Sequence, residues 1–299
     1  MLVGILAGLA AGALWGLVFV APVLAPGLAA VDLAAGRFAS YGLTALLVML
    51  LARGKRRWPT PSQWGAALGL SVLGFSGYYL LLVLSIRDAG VEVPTLIIGT
   101  IPIWVMLLGK PEHLRWRSLL PGLLLTITGV LLMMSAETAG TAEHAAQGWV
   151  YWRGIGFALL SMVCWTAFAV LNSAWLKHHH EVKVTDWTNW LGVASGLGAL
   201  ALWLMLGSEP KVLLAQEDIA QTAMVCIATG VGSAWLATVL WNMASRRLSA
   251  SLCGQLIVSE TLFALLYAFV GYGVWPHWLQ WLASAVFVMG IIASVRAHR

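Results

Sequence analysis

The sequence predicts an all-α membrane protein whose ten transmembrane helices form two inverted five-helix repeats around a central cavity. Three observations carry that expectation. Of 299 residues, 60% are hydrophobic and 10% charged, with a mean hydropathy of +0.86, whereas a soluble domain carries about 25% charged residues. Ten apolar runs of bilayer length follow one another with short connections: 2–21, 33–51, 63–86, 91–108, 119–136, 154–176, 187–206, 222–244, 249–270 and 278–295. The chain is also doubled. A shift of 159 positions lays Arg87 on Arg246 and Ile101-Pro102 on Glu260-Thr261, and 150 positions separate Trp15 from Trp165. Five runs per half is an odd number, so the second copy, 151–299, enters the bilayer from the side opposite to the first, 1–140. Inverted repeats place a site near the midplane at their interface.

Charge is sorted by loop. Alternate connections and the carboxy tail hold 13 of the 17 Lys and Arg residues, including Arg53, Lys55, Arg56, Arg57, Lys110, Arg115, Arg117, Lys177, Lys183, Arg246 and Arg247. The opposite connections hold Arg37, Arg87, Arg153 and Lys211 beside eight acids. The positive-inside rule then puts both termini in the cytoplasm. The net charge of +5 is a topological signal and does not point to a nucleic-acid partner. Cys164, Cys226 and Cys253 lie inside runs and offer no loop disulfide. His178, His179 and His180 are adjacent, point in different directions and lack partners at ligand spacing, so no metal or other cofactor is expected and the loop is read as solvated.

In chain order, the first run is read as a retained helix, because no Lys or Arg precedes it. Gly4, Gly8, Gly12 and Gly16 form a packing stripe beside Trp15, with Pro22 and Pro26 ending the helix. Asp32 and Arg37 open the second run as boundary anchors that snorkel. The basic turn 53–61 orients the chain, flanked by the interfacial Trp58 and Trp64. Gly74, Gly77, Tyr78 and Tyr79 sit at mid-depth in the third run, where at least one phenol faces inward. Pro102 cannot bond back to the carbonyl of Ile98, which is left free for water or a ligand ammonium; the alternative is a simple bend. Trp104 lies two residues further on.

The polar insertion 137–152 is the seam between halves, followed by Trp165 and Asn172 in the sixth run. Trp235, Thr238 and Asn242 share a face of the eighth run, Asn242 serving either a helix-to-helix bond or a cargo contact. The ninth run carries a polar stripe of Ser251, Gln255 and Ser259 and a second face with Cys253, Glu260 and Tyr267. One face lines a cavity and the other packs. Glu260 costs about 2.5 to 3.5 kcal/mol at mid-membrane and must face protein or water. It is also a candidate for proton coupling, against the alternative of a structural acid.

Each half resembles the repeat of the EamA-type carriers of the drug/metabolite transporter superfamily. The resemblance rests on an opening helix with a deep Trp (8–19 and 158–171) and a hairpin with an Arg at its turn (85–108 and 244–267). A closing helix with a late glycine, Gly129 or Gly290, completes it. Family members often carry a Glu-Pro pair in the ninth span, which here is divided between Glu260-Thr261 and Ile101-Pro102. Within the superfamily the chain looks most like the YddG-like exporters of aromatic amino acids. That likeness implies a bacterial inner-membrane exporter with a cavity lined by the first, third, fourth, sixth, eighth and ninth helices.

The expected function is a secondary transporter exporting aromatic and other amphipathic amino acids by alternating access. The alternative cargo is a nucleoside, a sugar derivative or an organic cation. Candidate substrate-binding residues are Trp15, Tyr78, Tyr79, Ile98, Pro102, Trp104, Trp165, Trp235, Asn242, Gln255 and Ser259. An intramembrane enzyme is disfavoured, because the runs contain no His, one mid-run acid (Glu260), and neither HExxH nor GxSxG. A non-transporting scaffold would not need the polar interior. Cargo ranking, coupling ion, oligomeric state and resting conformation stay open.

Overall fold

The structure, a computed structural model, describes residues 1–19, 21–25, 27–51, 58–89, 92–111, 114–138, 148–216, 218–272, 275 and 277–298. Every regular element among them is helical. In order these are α1 (Leu2–Gly16), α2 (Ala30–Leu51), α3 (Pro61–Ala89), α4 (Glu92–Gly99), α5 (Ile101–Leu108) and α6 (Trp116–Thr138). Then come α7 (Trp149–His178), α8 (Val184–Leu206), α9 (Ile219–Arg247), α10 (Ala250–Tyr272) and α11 (Trp278–Ala297). Eight of them, α2, α3 and α6 to α11, are long and apolar enough to cross a membrane, while α1 and the stretch Ile97–Leu108 are shorter apolar helices.

The first and fourth runs are where the helices depart from the expected spans. α1 stops at Gly16, ahead of Pro22, and continues as the tight turn Leu17–Phe19 and the short helix Ala21–Leu24. Pro26 lies outside the described residues. The fourth run breaks at Thr100, between the end of α4 at Gly99 and the start of α5 at Ile101. Pro102 occupies the first turn of α5, where a missing N–H costs nothing. Three-residue bonds bridge the break, Thr100 N to Ile97 O at 3.1 Å and Ile103 N to Thr100 O at 3.0 Å.

Other ends follow local chemistry. A capping box starts α3, with Gln63 N donating to Thr60 Oγ1 at 3.3 Å and Thr60 N donating to Gln63 Oε1 at 3.0 Å. Two stretches of π-helix interrupt the long helices, Val72–Ser76 in α3 and Thr229–Leu236 in α9. The seam is narrower than the sequence implied: α6 reaches Thr138 and α7 begins at Trp149, and 139–147 lie outside the described residues, as do 52–57 of the basic turn.

Helices from the two halves interleave. The most extensive pairs are α2 with α8, α6 with α11, α3 with α7, α1 with α9 and α10, and α5 with α10. The α1 glycine stripe permits close approach of α10. A β-carbon on Gly8 would lie 2.6 Å from Leu256 Cδ1, one on Gly16 would lie 3.0 Å from Ala264 N, and one on Gly12 would strike Ser259 Oγ. Overpacking of this kind costs about 1–3 kcal/mol. Gly12→Val should therefore lower the melting temperature of the detergent-purified protein, whereas Gly65→Ala, where nothing lies within 4 Å of the added carbon, should leave it unchanged.

Candidate functional site

A cavity of about 290 Å³ lies among α1, α2, α3, α4, α5, α7, α9 and α10. Aromatic side chains are the largest group in its wall. Trp15, at the end of α1, sits 5.2 Å from Trp241 and 6.3 Å from Trp165 between ring centroids, and Trp165 and Trp241 are 6.2 Å apart. From this indole triangle the rings continue through Phe168, Phe75, Phe38 and Tyr79, at 6.1, 5.4, 5.8 and 6.1 Å in turn. All these spacings fall in the range where aromatic pairs attract. The π-helix of α3 helps to build the wall: Gly74 lies within it, and a β-carbon there would meet the Phe168 ring at 2.5 Å.

Two charges face the same space, Arg37 from α2 and Glu260 from α10. Arg37 Nη2 donates to Ser233 O at 3.1 Å, while its buried Nε has no partner. Glu260 makes no hydrogen bond and no ion pair among the described residues. On α10, 250–259 are all buried and 260–267 are mostly half-buried. α10 is therefore closely packed at its Ala250 end and more loosely packed beyond Glu260.

Comparison with known proteins fits this arrangement. The model of the EamA-like transporter family matches the chain at residues 2–135 and again at 152–296. The chain belongs to the EamA-like transporter family. It is similar to the inner membrane protein YtfF of Escherichia coli K12, at 30% identity over 99% of this chain and 96% of that protein. An uncharacterized transporter of Archaeoglobus fulgidus is 24% identical over 81% of this chain and 80% of its own length. A solved crystal structure superposes with a TM-score of 0.76 at 18% identity, covering 98% of both chains, which shows a shared fold.

Of the residues singled out in the sequence, this EamA-like transporter brings Trp15, Tyr78, Tyr79, Ile98, Trp165 and Glu260 to the cavity. The other six lie elsewhere. Pro102 is buried in the α4–α5 break, and Trp104 turns outward with its Nε1 on Thr100 Oγ1 at 3.2 Å. Trp235 Nε1 donates to Asn189 Oδ1 at 2.9 Å. It lies inside the π-helix of α9, and the altered winding rotates it away from Thr238, which does line the cavity. Ser259 faces Gly12, and Gln255 Oε1 lies 2.8 Å from Thr126 Oγ1 and 3.1 Å from Ser294 Oγ. The cavity face of α10 is thus that of Ile257 and Glu260.

Asn242 belongs to a buried relay. Trp187 Nε1 donates to Asn172 Oδ1 at 2.8 Å, Asn172 Nδ2 to Asn242 Oδ1 at 2.8 Å, and Asn242 Nδ2 to Thr188 Oγ1 at 2.9 Å. This joins α7, α8 and α9. The histidine loop is also tied down rather than simply solvated. Arg246 donates to the carbonyls of His179 and Val182, and His179 stacks on Trp175 at 4.1 Å.

Sequence reasoning missed Phe38, Phe75, Phe168, Trp241 and, above all, Arg37. The last is a correction. α2 begins at Ala30 and not at 33, so Arg37 lies seven residues, about 10 Å, inside the helix. Asp32 likewise is no snorkelling anchor: it is buried, and its carboxylate accepts from Ser208 N at 2.9 Å and Ser208 Oγ at 2.7 Å. An Arg two turns inside an apolar helix was the available signal.

Placement of Asn242 outside the cavity has a measurable consequence. Asn242→Leu strands the buried donor of Asn172, at a cost of about 1–3 kcal/mol. Its melting temperature should fall while the half-saturation concentration for cargo stays at the wild-type value.

Proposed function

We propose that the protein is a secondary transporter in the inner membrane that exports amino acids, aromatic and other amphipathic ones, by alternating access of this cavity. The observation that carries the reading is a small ring-lined space holding one positive and one negative side chain. Its volume of about 290 Å³ sits at the lower bound of pockets that take drug-sized ligands, about 300–1,000 Å³. That suits a solute such as phenylalanine or methionine better than a bulky drug. The YddG-like aromatic exporters are the branch that this lining favours.

Two inverted five-helix repeats, 1–140 and 151–299, supply the mechanism. The family match falls twice, at 2–135 and 152–296. Shifted by 159 positions, the π-helix of α3 lands within the π-helix of α9. With both termini cytoplasmic, the closely packed Ala250 end of α10 faces the cytoplasm and its looser end faces outward. Exposure then alternates as the two repeats rock about the aromatic wall.

The test is flux from proteoliposomes loaded with labelled phenylalanine, tryptophan, tyrosine, methionine or threonine. Saturable, protein-dependent release is expected. Its absence for all five, with release of a nucleoside, sugar derivative or organic cation instead, would replace the cargo. Trp165→Ala removes ring contacts worth about 0.5–1.5 kcal/mol. It should raise the half-saturation concentration for phenylalanine about three- to tenfold and leave that for threonine nearly unchanged.

A further inference from the structure

We propose that Arg37 and Glu260 are the two poles of a zwitterion site, Arg37 taking the α-carboxylate of a free amino acid and Glu260 its α-ammonium. The assignment rests on the amino-acid reading above and adds what that reading leaves open, namely how the common head group is held while the rings hold the side chain.

The argument begins with unspent hydrogen-bonding capacity. A guanidinium has five N–H donors in a rigid fork matched to a carboxylate. Arg37 uses Nη2 on Ser233 O, and its Nε is buried with no partner. The guanidinium carbon lies 5.4 Å from the centroid of the Phe38 ring, and that ring is itself part of the wall. On the same cavity, Glu260 offers a carboxylate with acceptor sites that no described residue fills. Both groups would be expensive to leave unpartnered at this depth.

The second step is that the charges do not satisfy each other. No ion pair within 4.0 Å joins them, although both line the same cavity. They stand on α2 and α10, which do not pack extensively on one another. Opposite charges that share a small cavity without pairing leave a place for a molecule that carries both charges in reverse order.

Charge sign then selects among cargoes. An organic cation would meet Glu260 but be repelled by Arg37, and an organic anion would meet the reverse. A neutral sugar or nucleoside would need neither pole. A zwitterion alone answers both, and it adds no net charge to a cavity whose own two charges cancel. Elsewhere the lining offers the hydroxyls of Tyr78, Tyr79 and Thr238, and Tyr79 is already committed, donating to Ala30 O at 2.9 Å.

The experiment measures competition with phenylalanine flux in proteoliposomes, using phenylalaninamide, which lacks the carboxylate, and 3-phenylpropionate, which lacks the ammonium. In the wild type both should compete at least tenfold more weakly than phenylalanine itself. In Arg37→Gln the amide should draw level with phenylalanine while phenylpropionate stays weak. In Glu260→Gln the order should invert, with phenylpropionate gaining. Arg37→Lys keeps the charge and loses the fork, so it should retain discrimination against the amide at reduced affinity; this variant carries the test if Arg37→Gln does not fold. Amino-acid flux with the wild-type ranking preserved in both neutral variants would overturn the pole assignment alone. Absence of flux for every amino acid, with flux of another class, would overturn the amino-acid reading beneath it.

Discussion

Within hydrocarbon, a polar side chain has only protein, or water that the protein admits, to bond with. This constraint organises the molecule. The Trp187–Asn172–Asn242–Thr188 relay spends every one of its bonds inside the protein and thereby fastens α7, α8 and α9 together. Asp32 does the same for the connection after α8 through Ser208. Arg37 and Glu260 differ in carrying charge: both keep hydrogen-bonding capacity in reserve on the wall of one cavity. Charge in reserve facing a shared space, and not an unpartnered atom alone, marks what is available to a ligand.

Close approach of backbones makes the saturated part possible. α1 has glycine at every fourth position from Gly4 to Gly16, and α10 lies on that stripe with Leu256, Ser259 and Ala264 where side chains would otherwise stand. The same contact delivers Trp15 to Trp165 and Trp241, and sets Glu260 on the cavity beside α1. Packing and site are therefore linked through one helix pair. Gly74 repeats the device on a smaller scale, its bare α-carbon receiving the Phe168 ring where α3 is wound as a π-helix.

Much of this was legible in the chain. Apolar runs, their spacing and the repeated landmarks Trp15 and Trp165 point to a helical membrane protein of the EamA-like family, and the late Gly129 and Gly290 belong to the same pattern. Mid-depth aromatics on several helices pointed to an aromatic cavity, and Trp15, Tyr78, Tyr79 and Trp165 do line it. Polar residues were harder to place. Asn242 and Gln255 are as polar and as deep as Glu260, but each found protein partners, and a partner on another helix is invisible from one segment. Trp235 was displaced by a π-helix that no 3.6-residue periodicity anticipates.

The sequence by itself determined the helical membrane class and the family, because hydrophobic run length and recurring landmarks are local or periodic properties of a chain. Only the tertiary structure decided which face of α10 meets the cavity, that Arg37 lines the same cavity as Glu260, and that Trp241 rather than Asn242 forms the wall. The reason is geometric. Consecutive helical residues point about 100° apart, so a shifted helix start or one stretch of altered winding reassigns every side chain beyond it, and neighbouring helices from the other half settle which direction is inside.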